Sequence, residues 1–441
     1  MNLPRASQIL IRALGAAFAI GLAGCAVAQP APGREPSFTA DQLRIDLTAW
    51  QDWLRSTHPD LAHSADTAEL DRQVEALGNS LTGQYSPLEA WMALSRLNPV
   101  YADAHTGLAI PSFPDADFPP VEIRDGHAWI GAAIAPESGL RPGERVVTVD
   151  GIDIDAMIAN VLPHIRGETD SLRERILQLR FAEYLAFWSG RTRFNQIELQ
   201  GIAGNRFSHS YTPQTDRPGE DGAAFSVEFR NHSAILSVRT FDLARFETFN
   251  TFLTDAFARI AARDSERLII DIRENGGGAR ELSDRLLAYL TEDRYTPTSA
   301  ITARIAPENI ARIPGAELGQ VVHLPFPQWV EPPAGLEYRF SGEIIVLIGP
   351  DTYSQGIVFA NIVQDFQIGR IAGLPTEGAA NQTGQVQRFT LPQTGFEARS
   401  PLYIFWRASG EASSSPVQPD ILLPHAGEEQ LTALLNMLGE D

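Results

Sequence analysis

The sequence predicts an α/β protein of several domains, and three observations carry that prediction. Two continuous apolar runs, residues 268–272 and 344–348, are each followed by a turn and a helical stretch. Strand–helix alternation of this kind builds a largely parallel sheet with helices packed on it. Upstream, residues 38–98 have helical spacing, whereas residues 119–165 change to short strands. At 441 residues the chain exceeds one compact core; with about 150 residues per domain it should form two or three.

Composition narrows the function. Hydrophobic residues make up 44% and charged residues 20%, the balance of a globular chain rather than a disordered one. The net charge of -20 repels phosphate backbones, so no nucleic-acid partner is expected. All 35 basic residues are arginine. A chain without lysine has no Walker loop, Schiff base, pyridoxal anchor or serine–lysine dyad, and arginine, always protonated, replaces none of them. The single cysteine allows neither an intrachain disulfide nor a multi-cysteine metal site. No His-Glu-x-x-His is present and the histidines are scattered, so neither metal nor cofactor is expected.

Residues 1–28 read as an export signal, with Arg5 and Arg12 ahead of a short apolar stretch, 13–22. A permanent membrane helix needs about 20 apolar residues, which this stretch lacks. Leu22-Ala23-Gly24-Cys25 resembles the bacterial lipobox, which implies lipidation of Cys25 and anchoring to the outer membrane from the periplasm. Ala26-Val27-Ala28 before Gln29 also fits an ordinary cleavage site, and either route exports the chain.

The remaining elements follow in order. Residues 29–37 are a tether rich in proline. Residues 38–115 form a helical region: Thr39-Ala40-Asp41-Gln42 is a capping box, with Leu43, Leu47, Trp50 and Leu54 at helical spacing behind it. A second helix covers 67–77, and Ser86-Pro87-Leu88-Glu89 opens a third with a cap, a proline at N1 and a capping-box acid. Residues 116–168 form a small β unit. Its run from Ser138 to Gly151 resembles the PDZ element of Gly-Leu, Pro-Gly-Asp, an apolar strand and an Asp-Gly turn, which implies a sheet edge where a peptide can add. Residues 169–222 are a connector, helical over 171–189 and polar over 208–222.

Residues 223–427 carry the α/β section, and 428–441 a C-terminal helix or tail. The section starts with a strand at 234–238, then an apolar stripe of Phe246, Phe249, Leu253, Phe257 and Ile260 at helical steps. Strand 268–272 runs into Asn275-Gly276-Gly277-Gly278 and a helix over 279–290. Strand 344–348 runs into Tyr353-Ser354-Gln355-Gly356 and a helix to 366. Ligands of open α/β sheets bind beyond the carboxyl ends of strands, where helix amino termini present unpaired N–H groups. A serine beside such amides has what acyl transfer needs, a nucleophile and donors for an oxyanion. Taken alone, Ser354 also fits a helix cap and the glycines a tight turn.

Together, residues 268–278 (Leu-Ile-Ile-Asp-Ile-Arg-Glu-Asn-Gly-Gly-Gly) and 354–365 resemble the C-terminal processing (tail-specific) serine peptidase family, peptidase family S41, over about 38–424. The resemblance implies a catalytic domain of the crotonase-like type, a peptide or protein substrate, and Ser354 as nucleophile. Gln364-Asp365 match the family's Gln-Asp pair. In Gly373-Leu374-Pro375-Thr376-Glu377-Gly378, Ala379 stands where the lysine-using branch has its general base. The chain is therefore similar to the tricorn-core branch, where a histidine in Asp-x-His-Thr activates the serine. Asp103-Ala104-His105-Thr106 matches that motif, which implies His105 as base.

Behind the histidine the tricorn-like pattern places a preceding serine and a later glutamate. Ala104 replaces the serine; Glu411 lies near the acidic position, though a motif-by-motif match falls on Ser413. The backbone amides of Gln355 and of a glycine in 276–278, Gly277 foremost, are the implied oxyanion donors. Asp271 and Arg273 read as structural. The alternative on the same fold is a non-catalytic binding protein for an apolar or peptide ligand, as in interphotoreceptor retinoid-binding protein.

Overall fold

The computed structural model describes residues 37–131, 134, 138–212, 224–411, 415–424 and 427–440. Cys25 and Ser413 lie outside the described residues. The described chain gathers into two compact units. One holds residues up to 212 together with 302–322 and 385–403; the other holds 224–301, 323–384 and 404–440.

The first unit starts with helices α1 (Ala40–Thr57), α2 (Thr67–Ser80) and α3 (Pro87–Leu94). Both expected capping boxes are present, Thr39 with Gln42 and Ser86 with Glu89. Leu43, Leu47, Trp50 and Leu54 are buried on one face of α1, as their spacing predicts. Asp46 is buried on the same helix because it works as a clamp. Its carboxylate accepts the amides of Gln393 and Thr394 (both 2.8 Å) and the Thr394 hydroxyl (2.6 Å). The hairpin Gln387–Thr390 and Glu397–Ser400 then pairs onto β1 (Gly107–Leu108), which is how residues 385–403 join the first unit.

Strands β2 (Val121–Arg124), β3 (His127–Ile130), β4 (Arg145–Val149), β5 (Gln196–Gln200) and β6 (Arg206–Ser210) form an antiparallel sheet in that spatial order. Asp150-Gly151 turns after β4 at positive φ (48° and 82°), as an Asp-Gly turn should. Helix α4 (Ile154–Val161) follows. The helical stretch read over 171–189 is two helices, α5 (Asp170–Leu179) and α6 (Phe181–Ser189). Arg180 leaves helical geometry between them (φ -117°, ψ 24°) and forks onto Glu183 (3.0 and 2.7 Å). On β2, the Ile123 amide donates to Gln178 Oε1 of α5 (3.1 Å), so a strand adding at that amide must displace Gln178.

The second unit is an open sheet of six strands in sequential order: β7 (Phe225–Arg230), β8 (Ser233–Val238), β9 (Arg267–Asp271), β10 (Glu343–Ile348), β11 (Arg370–Gly373) and β12 (Ile421–Leu422). β7 and β8 form an antiparallel hairpin, and the rest run parallel. Successive right-handed crossovers that step one way along a sheet put their helices on one face. Accordingly α7 (Phe246–Ala262), α8 (Arg280–Leu287) and α9 (Gln355–Asp365) share one core with Leu268, Ile270, Ile344, Val346 and Ile348. The alternate residues Ile269, Ile345 and Leu347 point the other way, where α10 (Gly427–Leu438) covers them through Leu434. Both faces are buried, which is why these strands read as continuous apolar runs.

Candidate active site

The site lies beyond the carboxyl ends of β9 and β10. Ser354 stands immediately before α9 with φ 51° and ψ -118°, a conformation that L residues avoid. Its hydroxyl makes no capping bond to the helix. A serine placed there as a cap would have extended backbone and bond the N2 or N3 amide. Ser354 does neither, so the cap reading that its local sequence allows is set aside. Held strain at a half-buried nucleophilic side chain, with a helix amino terminus behind it, is the geometry of a nucleophile turn.

Neighbouring groups hold that turn in place. Thr352 is buried; its hydroxyl donates to the Ile272 carbonyl (2.8 Å) and accepts the Gly349 amide (3.1 Å), stitching the end of β10 to the end of β9. Asn275, also buried, receives the Tyr353 amide on its main-chain carbonyl (2.9 Å). Its side chain donates to the Val238 carbonyl (3.0 Å) and accepts the Gly277 amide (2.9 Å). The sequence flags Asn275 only as part of the Asn-Gly-Gly-Gly run and Thr352 not at all. Asn275→Ala should leave a buried carbonyl and a buried amide unpaired, costing about 2–4 kcal/mol in denaturant unfolding.

The glycine run matters through contact. Gly277 has φ 99°, and a β-carbon there would sit 2.7 Å from Ser354 Cβ, 2.8 Å from the Gln355 nitrogen and 2.9 Å from the Tyr353 carbonyl oxygen. Gly278 (φ 135°) lies against the Phe241 carbonyl, where the main chain has no room for a side chain. The Gly277 amide donates to Asn275 Oδ1 (2.9 Å), so as an oxyanion donor it would have to share or release that bond. The Gln355 amide, by contrast, meets no acceptor among the described residues, and it sits at the positive end of α9. The Gln355 side chain is fixed to Ser283 of α8 (2.8 Å).

The other motif residues of this unit are placed by bonds within it. Asp271 forks onto Arg273 (2.9 and 2.7 Å) at the end of β9. Asp365 forks onto the buried Arg407 (2.5 and 3.2 Å), and Gln364 binds the same guanidinium (3.0 Å) and the Asp420 carboxylate (3.1 Å). The Gln-Asp pair thus ties the end of α9 to the closing strands. Glu411 is 60% exposed, with Oε2 3.8 Å from Arg407. Ala379 lies in a stretch fixed by the Thr376 hydroxyl on the Gly378 carbonyl (2.8 Å) and Asn361 on the Ala380 carbonyl (2.8 Å).

His105 belongs to the first unit, in the tight turn after the short helix Pro99–Tyr101. Its side chain is 17% exposed, and Nδ1 lies 3.6 Å from Asp103 Oδ1, which also accepts the His105 main-chain amide (2.9 Å). The turn is pinned from residues 166–168: Arg166 donates to the Ala104 carbonyl (2.8 Å), and the Ala104 amide donates to Glu168 (3.2 Å). Burial opposes ionisation of Asp103, but hydrogen bonds and charge from His105 and His58 outweigh it and hold the carboxyl well below the usual carboxylate range. A depressed folded-state pKa contributes stability above the ordinary range near pH 4, lost as pH falls through the depressed value.

A strained serine beside an open helix-terminal amide is the arrangement that acyl transfer to a serine needs. In comparison with known proteins, residues 234–423 match the model of peptidase family S41, a family of serine-type peptidases. No curated protein matches the chain by sequence. Among solved structures, mature CPAF complexed with lactacystin superposes with a TM-score of 0.61 at 15% identity, covering 91% of this chain and 98% of that one. Mature CPAF alone gives 0.60 at 15% identity, over 91% and 97%. The photosystem II D1 C-terminal processing protease gives 0.48 at 16% identity, over 89% and 97%. The CPAF likeness shows a shared fold.

Proposed function

We propose that the protein is an exported peptidase that hydrolyses peptide bonds through an acyl-enzyme on Ser354, with His105 as general base. The observation that carries the reading is the strained, uncapped Ser354 packed on Gly277 beside the Gln355 amide. The His105 imidazole takes the Ser354 hydroxyl proton as the oxygen attacks the peptide carbonyl. The Gln355 amide stabilises the oxyanion, and the imidazolium returns its proton to the leaving amine. Water, deprotonated by the same imidazole, then releases the acyl group and restores the serine. Export through residues 1–28, and periplasmic anchoring through a lipidated Cys25, rest on the sequence and are part of the proposal.

The test is digestion of a mixed peptide library by the intact protein, Ser354→Ala, His105→Ala and the double variant, read by mass spectrometry. Residues that act as one unit are not additive. His105→Ala should lower kcat by about 10⁴-fold or more, and the double variant should be no worse than either single. Full turnover in His105→Ala would remove the histidine from the mechanism. No cleavage by the intact chain against any peptide would favour the binding-protein alternative.

A further inference from the structure

Ala104 leaves His105 without the serine that its branch of the family places beside the histidine, yet the first unit supplies a carboxylate of its own. Asp103 is buried, and its two oxygens do different work. Oδ2 accepts the Thr106 hydroxyl at 2.7 Å. The Thr106 oxygen in turn lies 3.1 Å from His58 Nε2. Because Thr106 spends its one proton on Asp103, it can only accept from His58, so His58 carries its proton on Nε2. Its Nδ1 is buried and meets no hydrogen-bond partner among the described residues. His58 is fixed again through its main-chain carbonyl, which accepts Arg304 Nε at 3.0 Å. The chain from His58 through Thr106 to Asp103 therefore runs one way, toward the carboxylate.

Oδ1 is the oxygen left for His105. It accepts the His105 amide at 2.9 Å and stands 3.6 Å from Nδ1 of the same residue. Catalytic hydrogen bonds in unliganded enzymes are often long and shorten when substrate binds. We infer that Asp103 is the positioning residue for His105. Its Oδ1 accepts a hydrogen bond from Nδ1–H, so that Nε2 is the basic nitrogen, and Thr106 and His58 keep the carboxylate from turning away. On this account Asp103, and not Glu411, takes the part of the orienting acid. This inference rests on His105 being the base.

The experiment uses the full chain with ¹⁵N-labelled histidine. In the unaltered protein, the resonance missing from His105→Ala should report protonation at Nδ1 at pH values where the ring is neutral; protonation at Nε2 would overturn the inference. This measurement stands even if variants of Asp103 fail to fold. Asp103→Asn, whose amide can present a proton to the ring, should turn His105 to the other tautomer and lower kcat by about 10²–10⁴-fold with KM little changed. An Asp103→Asn protein with unchanged kcat and tautomer, alongside an inactive His105→Ala, would overturn this inference alone. Full activity in His105→Ala would overturn both.

Discussion

Ser354→Ala should abolish peptide hydrolysis while leaving the protein folded. Loss of an activated serine costs about 10⁴–10⁶-fold in kcat, because no other group can form the acyl-enzyme. Stability should change by no more than about 0.5 kcal/mol, since the hydroxyl caps nothing and its loss breaks no bond to α9. The pairing of these two results is what distinguishes the account. A helix-capping serine would behave the opposite way, with activity nearly kept and about 1 kcal/mol of stability lost. Steady-state kinetics and urea unfolding on the same preparation decide between them.

Gly277→Ala has the second largest expected effect, for a steric reason. The new β-carbon meets Ser354 Cβ, the Gln355 nitrogen and the Tyr353 carbonyl oxygen at 2.7–2.9 Å, and two of those three are main chain that cannot swing aside. Alanine at φ 99° adds backbone strain. Displacing the nucleophile by about 1 Å costs around 10²-fold in rate, and the strain and overpacking about 2–4 kcal/mol in stability. Gly276→Ala is the control for stability, because nothing lies within 4 Å of a β-carbon there and its φ is not positive. Equal destabilisation by both changes, measured by urea unfolding, would contradict the close packing inferred for Gly277.

Much of this was legible in the sequence where local chemistry alone decides structure. The capping boxes at Thr39 and Ser86 and the Asp150-Gly151 turn are set by residues within three or four positions of one another. The continuous apolar runs of β9 and β10 show burial on both faces, and their following turns mark where a site can form. What the sequence hid depends on contacts distant along the chain. The hairpin at 387–400 joins the first unit through β1 and Asp46, a carboxylate whose partners lie about 350 residues away. A buried aspartate inside an amphipathic helix gives no local sign of them.

At the site the same division holds. The sequence marks Ser354, Gln355 and the glycine run by their place after apolar strands, and the fold packs Gly277 against the other two. The bond from the Gly277 amide to Asn275 has no sign in the sequence, because only the fold shows Asn275 bending back to accept it. Asp103 was visible as the first residue of a motif, but its bearing on His105 needed Thr106 and His58, the latter 45 positions earlier, to be brought against it. Gln364 and Asp365, notable as a pair, prove to brace Arg407.

The central claim, that Ser354 is a nucleophile activated by His105, is tested most directly by labelling. The intact protein would be treated with a fluorophosphonate, which phosphonylates activated serines with loss of fluoride, and mapped by mass spectrometry. The account predicts one adduct, on the peptide that carries Ser354, absent in Ser354→Ala and formed far more slowly in His105→Ala. An adduct on another residue, or labelling of Ser354 at the full rate without His105, would contradict it.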